Sequence, residues 1–287
     1  MNGEIIKVIS NDYTVKVNDK KIVCKARGLF RNKNITPLAG DYCTIDEKNK
    51  LIIEILERKN ELHRPPVSNI DIAVIVVSTY SPDFSNKLLD KMISIIEYNN
   101  IEPVICISKS DIYMSKEIEE YINYYKKIGY RVFFNTEITE LKKYLNNKRI
   151  ILTGQTGVGK STLLNKLDNS LNLKTDEISK ALGRGKHTTR AVEFYEIESF
   201  LIADTPGFSS LDFKDMRKED IRDTFREFNS SRDKCQYSDC MHIKEDKCFI
   251  KDLVNKKIIL KERYEDYLDF IKEKESENIC FNSKGKK

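Results

Sequence analysis

The apolar positions of this chain change period along its length. Up to about residue 61 they fall in short runs: Glu4-Ile5-Ile6-Lys7-Val8-Ile9, Tyr13-Thr14-Val15-Lys16-Val17, Lys21-Ile22-Val23-Cys24-Lys25, Tyr42-Cys43-Thr44-Ile45 and Leu51-Ile52-Ile53-Glu54-Ile55-Leu56. Asn11-Asp12, Asn18-Asp19, Ala39-Gly40-Asp41 and Glu47-Lys48-Asn49 supply turns between them, so the segment reads as four or five strands. Without a long helix among them, a small Greek-key barrel of the OB type is expected. Arg64-Pro65-Pro66-Val67 then breaks regular structure and reads as a linker.

The pattern beyond the linker is different. Asp71-Ile72-Ala73-Val74-Ile75-Val76-Val77-Ser78 is apolar almost throughout, as in a strand covered on both faces. Helical spacing follows over residues 86–98 and 116–128, and further apolar strands end at Ile107, Thr153, Ile197 and Ala203. The order strand, helix, strand, helix, strand, glycine loop, helix, strand, strand is α/β architecture. From about Asp212 amphipathic stretches (218–228, 258–274) surround a cysteine-rich segment, and a polar tail begins at Glu275. The chain thus divides into residues 1–63 as an OB-type barrel, 64–211 as an α/β domain and 212–287 as an α-rich domain.

The glycine loop carries the most specific chemistry. Gly154-Gln155-Thr156-Gly157-Val158-Gly159-Lys160-Ser161 is Gly-x4-Gly-Lys-Ser, followed by Thr162 and leucines at helical spacing. Such a loop turns backbone N–H groups around phosphate at a helix N-terminus, with Lys160 on β and γ oxygens and Ser161 on Mg²⁺. Downstream, Asp204-Thr205-Pro206-Gly207 ends an apolar strand; Asp204 there can hold Mg²⁺ and the Gly207 N–H can meet a γ-phosphate. Upstream, Ser108-Lys109-Ser110-Asp111 ends another strand, where Asp111 can accept from guanine N1 and N2, donors that adenine lacks. Ser108 stands where an asparagine is usual, and its hydroxyl makes fewer bonds than an amide. This guanine motif precedes the phosphate loop, the reverse of the ordinary order.

Composition adds a metal. Seven cysteines in a chain with no signal-like leader and no bilayer-length apolar run argue for thiols or metal rather than disulfides, and for a cytoplasmic protein. Cys235, Cys240, His242 and Cys248 form Cys-x4-Cys-x-His-x5-Cys; with the segment extended, Cys240 and His242 face one ion. Four protein ligands make a closed, structural zinc site. Cys24, Cys43 and Cys106 lie in apolar strands and read as core, and Cys280 has no such company. A net charge of +5 permits RNA as a partner without requiring it. Arg27, Phe30, Arg31 and Lys33 form a basic loop with one aromatic, consistent with base stacking or with a solvated loop.

Taken together, barrel, guanine motif, P-loop, Asp-Thr-Pro-Gly and Cys-x4-Cys-x-His-x5-Cys resemble the RsgA family (also YjeQ or YloQ) of circularly permuted GTPases, bacterial small ribosomal subunit biogenesis factors. Gly183-Arg184-Gly185-Lys186-His187-Thr188-Thr189-Arg190 resembles the family's mobile switch, and Arg263-Tyr264-Glu265-Asp266-Tyr267 its last helix. The resemblance implies a monomer that hydrolyses GTP when stimulated by the small (30S) subunit, binds 16S rRNA and leaves late in maturation. It implies GTP or GDP, Mg²⁺ and one Zn²⁺ as ligands. It points to His187 at the attacking water, since Phe208 occupies the place of a water-orienting glutamine, and to Thr188, with Thr189 as the alternative, at Mg²⁺ and γ-phosphate. Two other classes stay open on the residues alone: an RNA-binding assembly protein with a degenerate nucleotide site, which Ser108 would suit, and an ATP-dependent P-loop phosphotransferase, against which Asp111 argues.

Overall fold

The computed structural model describes residues 1–28, 30, 35–63, 65–168, 192–197, 199–204 and 211–284. Five strands close the N-terminal barrel: β1 (Asn2–Ile9), β2 (Asp12–Val17), β3 (Lys20–Ala26), β4 (Tyr42–Asp46) and β5 (Leu51–Ile55). They pair β1-β2-β3-β5-β4 and back to β1, with β3–β5 parallel and the rest antiparallel. Alternation turns Ile5, Tyr13, Val15, Val17, Cys24, Cys43, Ile45 and Ile52 into the interior. Phe30 corrects the stacking reading: it is buried in this same core and offers no face to a base. Arg31 and Lys33 lie outside the described residues. The expected linker also differs, because β6 (Glu61–His63) and β7 (Pro66–Ser68) form a short hairpin. Pro66 is tolerated there as the first residue of a short strand.

The central sheet runs β10-β9-β8-β11-β13-β12, from β8 (Ile72–Ser78), β9 (Glu102–Ser108), β10 (Arg131–Phe134), β11 (Arg149–Thr153), β12 (Val192–Ile197) and β13 (Phe200–Asp204). All pairs are parallel except β12 with β13. Along the buried strand β8, Ala73, Ile75 and Val77 face α1 (Asn86–Tyr98) and α2 (Lys116–Lys127). Ile72, Val74 and Val76 face α3 (Ile138–Leu145) and α4 (Lys160–Leu167). Ser85 and Ser115 cap α1 and α2 by accepting from Leu88 N and Ile118 N, so both helices start where a hydroxyl satisfies free N–H groups. β10 and α3 are additions to the expected order; at four residues β10 is too short to show a period.

Barrel and central sheet are one hydrogen-bonded surface. β1 pairs antiparallel with β12, Lys7 opposite Glu193 and Val8 opposite Val192, and a Lys7–Glu193 ion pair of 2.5 Å spans the seam. Arg149, at the base of β11, donates to Gly40 O (3.1 Å) and Tyr42 Oη (2.6 Å), pairs with Glu4 (2.9 Å) and lies over the Tyr42 ring. Burial raises the Glu4 carboxyl above its usual value despite the Arg149 charge.

The C-terminal region is helical: α5 (Lys218–Asp223), α6 (Arg226–Asn229), α7 (Phe249–Asn255) and α8 (Lys261–Lys284). The stretch 218–228 is therefore two short helices, and the expected polar tail is instead a continuation of α8. Phe213, Phe225, Phe228, Tyr267 and Phe270 pack a core of their own. α8 lies along α1 through Lys87–Asp269 (2.6 Å), Lys91–Glu273 (2.5 Å) and Asn86–Asp266 (2.8 Å). Beneath these, Arg263 is fully buried and donates to both Asp90 and Glu227, with the Phe225 ring 4.6 Å from its guanidinium carbon. Tyr125 also donates to Asp90 (2.7 Å). A buried pair of this kind stabilises only while complete, since removing one partner leaves an uncompensated charge at about 3–5 kcal/mol.

One guanidinium balances two carboxylates, and a third, Asp266, adjoins them. Burial and the Asp90 charge push the Asp266 carboxyl up to about 7. A carboxyl raised in the folded state binds a proton that the unfolded chain, near pH 4, has lost. The contribution of Asp266 to stability should therefore fall as pH rises from about 4 to about 7 and level off above. Urea unfolding of wild type and Asp266→Asn across that range should show this slope in the difference between the two proteins.

Candidate functional site

Register brings the separated motifs to one edge. β8 pairs with β9 through Ser78 opposite Ser108 and with β11 through Ile75 opposite Thr153, so the guanine motif and P-loop leave the sheet side by side. Ala203 pairs with Ile151, so β13 delivers the Asp204 backbone to the same edge. Neither motif's place depends on which comes first in the chain.

The P-loop has the backbone its glycines predict. Gly154 has φ +141°, and a Cβ there would lie 2.2 Å from Val76 O, so no side chain fits. Gly157 and Gly159 are also left-handed, at φ +84° and +96°, while Gln155 and Thr156 stand exposed. α4 then starts at Lys160 with its free N–H groups toward the loop. Lys160 Nζ donates to Gly154 O (2.8 Å) and Gln155 O (2.6 Å), and burial lowers the pKa of its ammonium. This cation is held by carbonyls alone among the described residues, which suits it to an incoming phosphate. Val158 is buried beneath the loop, and Ser161 and Thr162 lie in the first turn of α4.

The guanine motif is fastened to that loop. Ser108 is buried, and its hydroxyl donates toward Val158 O (2.5 Å) and Val77 O (3.2 Å). Lys109 Nζ donates to Gly157 O (2.9 Å) and Ser81 O. Ser110 is half-buried and Asp111 exposed, free to meet a base edge. Asn135 follows β10, with its N–H on Ile107 O (2.8 Å) and its carbonyl held by Lys166 (3.0 Å). Its Oδ1 is buried without a donor among the described residues. The Asp204 side chain, His187, Thr188, Thr189 and Gly207 lie outside what is described.

The cysteine cluster assembles as its spacing implies, by a different local route. Ligand atoms of Cys235, Cys240, His242 and Cys248 lie within 4.8 Å of one another. The segment is not extended: His242 takes φ +59°, and this left-handed residue turns its ring back onto the thiols. Its Nδ1 is 3.7 Å from Cys235 Sγ and 3.3 Å from Cys248 Sγ, close to the ~3.6 Å edge of a tetrahedral S–Zn–N unit. Burial pushes the Cys240 thiol up to about 12 and the imidazole down to about 4, which keeps the ring neutral, as a metal ligand must be. Three sulfurs and a neutral imidazole fit zinc with no position left open.

Sequence reasoning missed what holds this turn. Glu245 accepts from Met241 N (2.7 Å) and Ile243 N (2.8 Å); burial would raise its carboxyl, but backbone donors hold it below the usual value. From α8, Tyr264 donates to His242 O (2.6 Å) and Tyr267 to Met241 O (2.5 Å). The stretch 263–267 thus grips α1 with Arg263 and the cluster with its tyrosines. Its signal in the sequence was two tyrosines three apart beside an arginine, which spacing alone does not assign.

Comparison with known proteins agrees with this geometry. The family model of the RsgA GTPase matches residues 55–214 and that of the RsgA N-terminal domain residues 2–51. Small ribosomal subunit biogenesis GTPase RsgA 2 of Oceanobacillus iheyensis is 48% identical over 282 residues, covering 94% of this chain and 96% of that protein. The RsgA of Bacillus cytotoxicus is 45% identical over 282 residues, with 94% and 96% covered. Among solved structures, the circularly permuted GTPase YloQ superposes with TM-score 0.79 at 34% identity, covering 96% of this chain and 95% of that one. YjeQ from Thermotoga maritima also reaches 0.79, at 32% identity, with 95% and 97% covered. A guanine motif upstream of its P-loop, a barrel paired onto the same sheet and matches across nearly the whole chain make this protein a GTP hydrolase of the circularly permuted RsgA GTPase family.

Proposed function

We propose that this GTPase acts in the cytoplasm as a monomeric late-stage assembly factor of the small ribosomal subunit, binding 16S rRNA and hydrolysing GTP when the subunit stimulates it. The observation that carries the reading is the shared edge at which Ser108–Asp111, the P-loop and β13 end. Its relatives' names place them in small-subunit biogenesis. A division into a barrel (1–63), a GTPase domain (64–211) and a zinc domain (212–287) assigns rRNA contact to the two flanks and switching to the centre.

In this reading the Gly154-to-Thr162 segment binds phosphates with its N–H groups, and Lys160 moves from carbonyls to β and γ oxygens as charge develops there. Asp111 accepts from guanine. Ser161 and Asp204 would hold Mg²⁺, with Thr188 or Thr189 joining in the closed switch, and the ion would supply neutralisation of phosphate charge. The Gly207 N–H meets the γ-phosphate, and His187 orients the attacking water. Cys235, Cys240, His242 and Cys248 hold a structural zinc ion.

Turnover of GTP measured with and without purified small subunits, with ATP as control, tests the function. Marked stimulation for GTP alone is expected, and its loss in His187→Ala; unstimulated turnover, or equal use of ATP, would sink the reading. Asp111→Asn should lose at least about a hundredfold in GTP affinity while gaining xanthosine triphosphate, whose 2-oxo group accepts from the new amide. The purified protein should hold one zinc per chain by elemental analysis. Chelation should lower the Tm and expose residues 212–284 to protease, because Cys240 and Cys248 belong to that region's core.

A further inference from the structure

A groove of about 400 Å³ opens between α5, the turn that carries His242 and the outer part of α8. Along α8 it is lined by Leu268, Ile271, Lys272 and Glu275, positions three and four apart that share one face of the helix. Met241 and Ile243 line it from the turn. Leu268, Met241 and Ile243 are only half-buried, so the groove has an aliphatic floor still in contact with solvent. Its carboxylates are already committed: Glu245 accepts from Met241 N and Ile243 N, and Glu275 pairs with Lys218 at 3.0 Å. Lys244 is exposed and makes no ion pair among the described residues. Lys272, also exposed, shares Asp269 (3.2 Å) with Lys87, which holds it more closely (2.6 Å). The unbalanced charge at the rim is therefore positive. We propose that this groove is a docking site for an acidic amphipathic helix of a partner protein, its aliphatic side chains on the floor and its carboxylates against Lys244 and Lys272.

Charge complementarity sets the sign of the partner, and the floor sets its class. Nucleobases are held by stacking on aromatic rings or guanidinium planes, and neither lines the groove among the described residues. Methionine, isoleucine and leucine instead match the aliphatic side chains that an amphipathic helix presents at i, i+3, i+4 and i+7. The stretch from Leu268 to Glu275 spans about 10 Å of helix axis, room for two turns of such a partner. The wall facing α8 is held in place before anything binds: Glu245 ties two of its N–H groups, and Tyr264 and Tyr267 tie two of its carbonyls to α8. A groove formed in advance spends little ordering entropy on docking. This face of the C-terminal region is thereby assigned to protein, and RNA contact is left to its other faces.

Fluorescence anisotropy on the full-length protein tests this, with a labelled synthetic helix that bears leucines on one face and glutamates on the other. Wild type should bind it in the micromolar range, more weakly as salt rises, and should bind a copy with lysines in place of the glutamates at least about tenfold less tightly. Lys244→Glu combined with Lys272→Glu should lose about tenfold for the glutamate helix and gain affinity for the lysine one. Leu268→Ser should weaken the glutamate helix by about tenfold through lost apolar contact. Should Leu268→Ser fail to fold, the double lysine variant decides, its changes being on exposed side chains. A wild type that binds neither helix, or that prefers the lysine one, would overturn the proposal. So would variants that bind the glutamate helix as wild type does. A labelled single-stranded RNA that displaces the glutamate helix from wild type and loses affinity in the double lysine variant would make the groove an RNA site, and would overturn the proposal too.

Discussion

The parallel pairing of β8 with β9 on one side and β11 on the other is the constraint from which the rest follows. Seven buried residues with apolar side chains on both faces leave β8 no alternative to the middle of the sheet. Register is then fixed, because a one-residue slip would exchange the face packed on α1 and α2 for the face packed on α3 and α4. The ends of β9 and β11 are thereby set one strand apart on either side of Ser78. A binding site built this way is indifferent to chain order. Circular permutation costs it nothing at the nucleotide, and changes only which segments continue outward from the sheet.

Those continuations explain the C-terminal region. α1 leaves the sheet beside the P-loop and carries Asp90 on its buried face, where Arg263 reaches it. Within one turn of α8, Tyr264 and Tyr267 hold the carbonyls of the turn that carries His242. The path from α1 to the cysteine cluster is thus one charge-assisted contact and two hydroxyl bonds, all packed among aromatic rings. A chain of contacts with no solvent gap transmits displacement instead of absorbing it. The central and C-terminal regions share this joint despite separate cores.

Much of this was legible in the residues. Alternation marked the barrel strands, a continuous apolar run marked β8, and donor chemistry marked the P-loop and the metal ligands. The failures have local causes. Phe30 belongs to the barrel core although its neighbours are polar, because a single aromatic between basic residues shows no period. β10, at four residues, is too short for a pattern to establish. His242 reaches its partners through a left-handed backbone, a conformation that residue type does not announce in histidine. The Ser108 bond to Val158 was hidden for another reason: it joins residues fifty apart, and only the register of β8 makes them neighbours.

The seam between β1 and β12 has a mechanical consequence. Two paired positions define a line, and main-chain bonds along that line prevent the barrel from sliding without preventing it from tilting. Tilt is opposed by a side chain placed off the line, Arg149 against Gly40, Glu4 and Tyr42, while the Lys7–Glu193 ion pair lies on the seam itself. The barrel is therefore held along one strand pair and braced beside it, by Arg149 and by Asn69, both of which donate to Gly40 O. β12 begins at Val192, so the strand that holds the barrel is the one that follows Thr188 and Thr189 in the sequence.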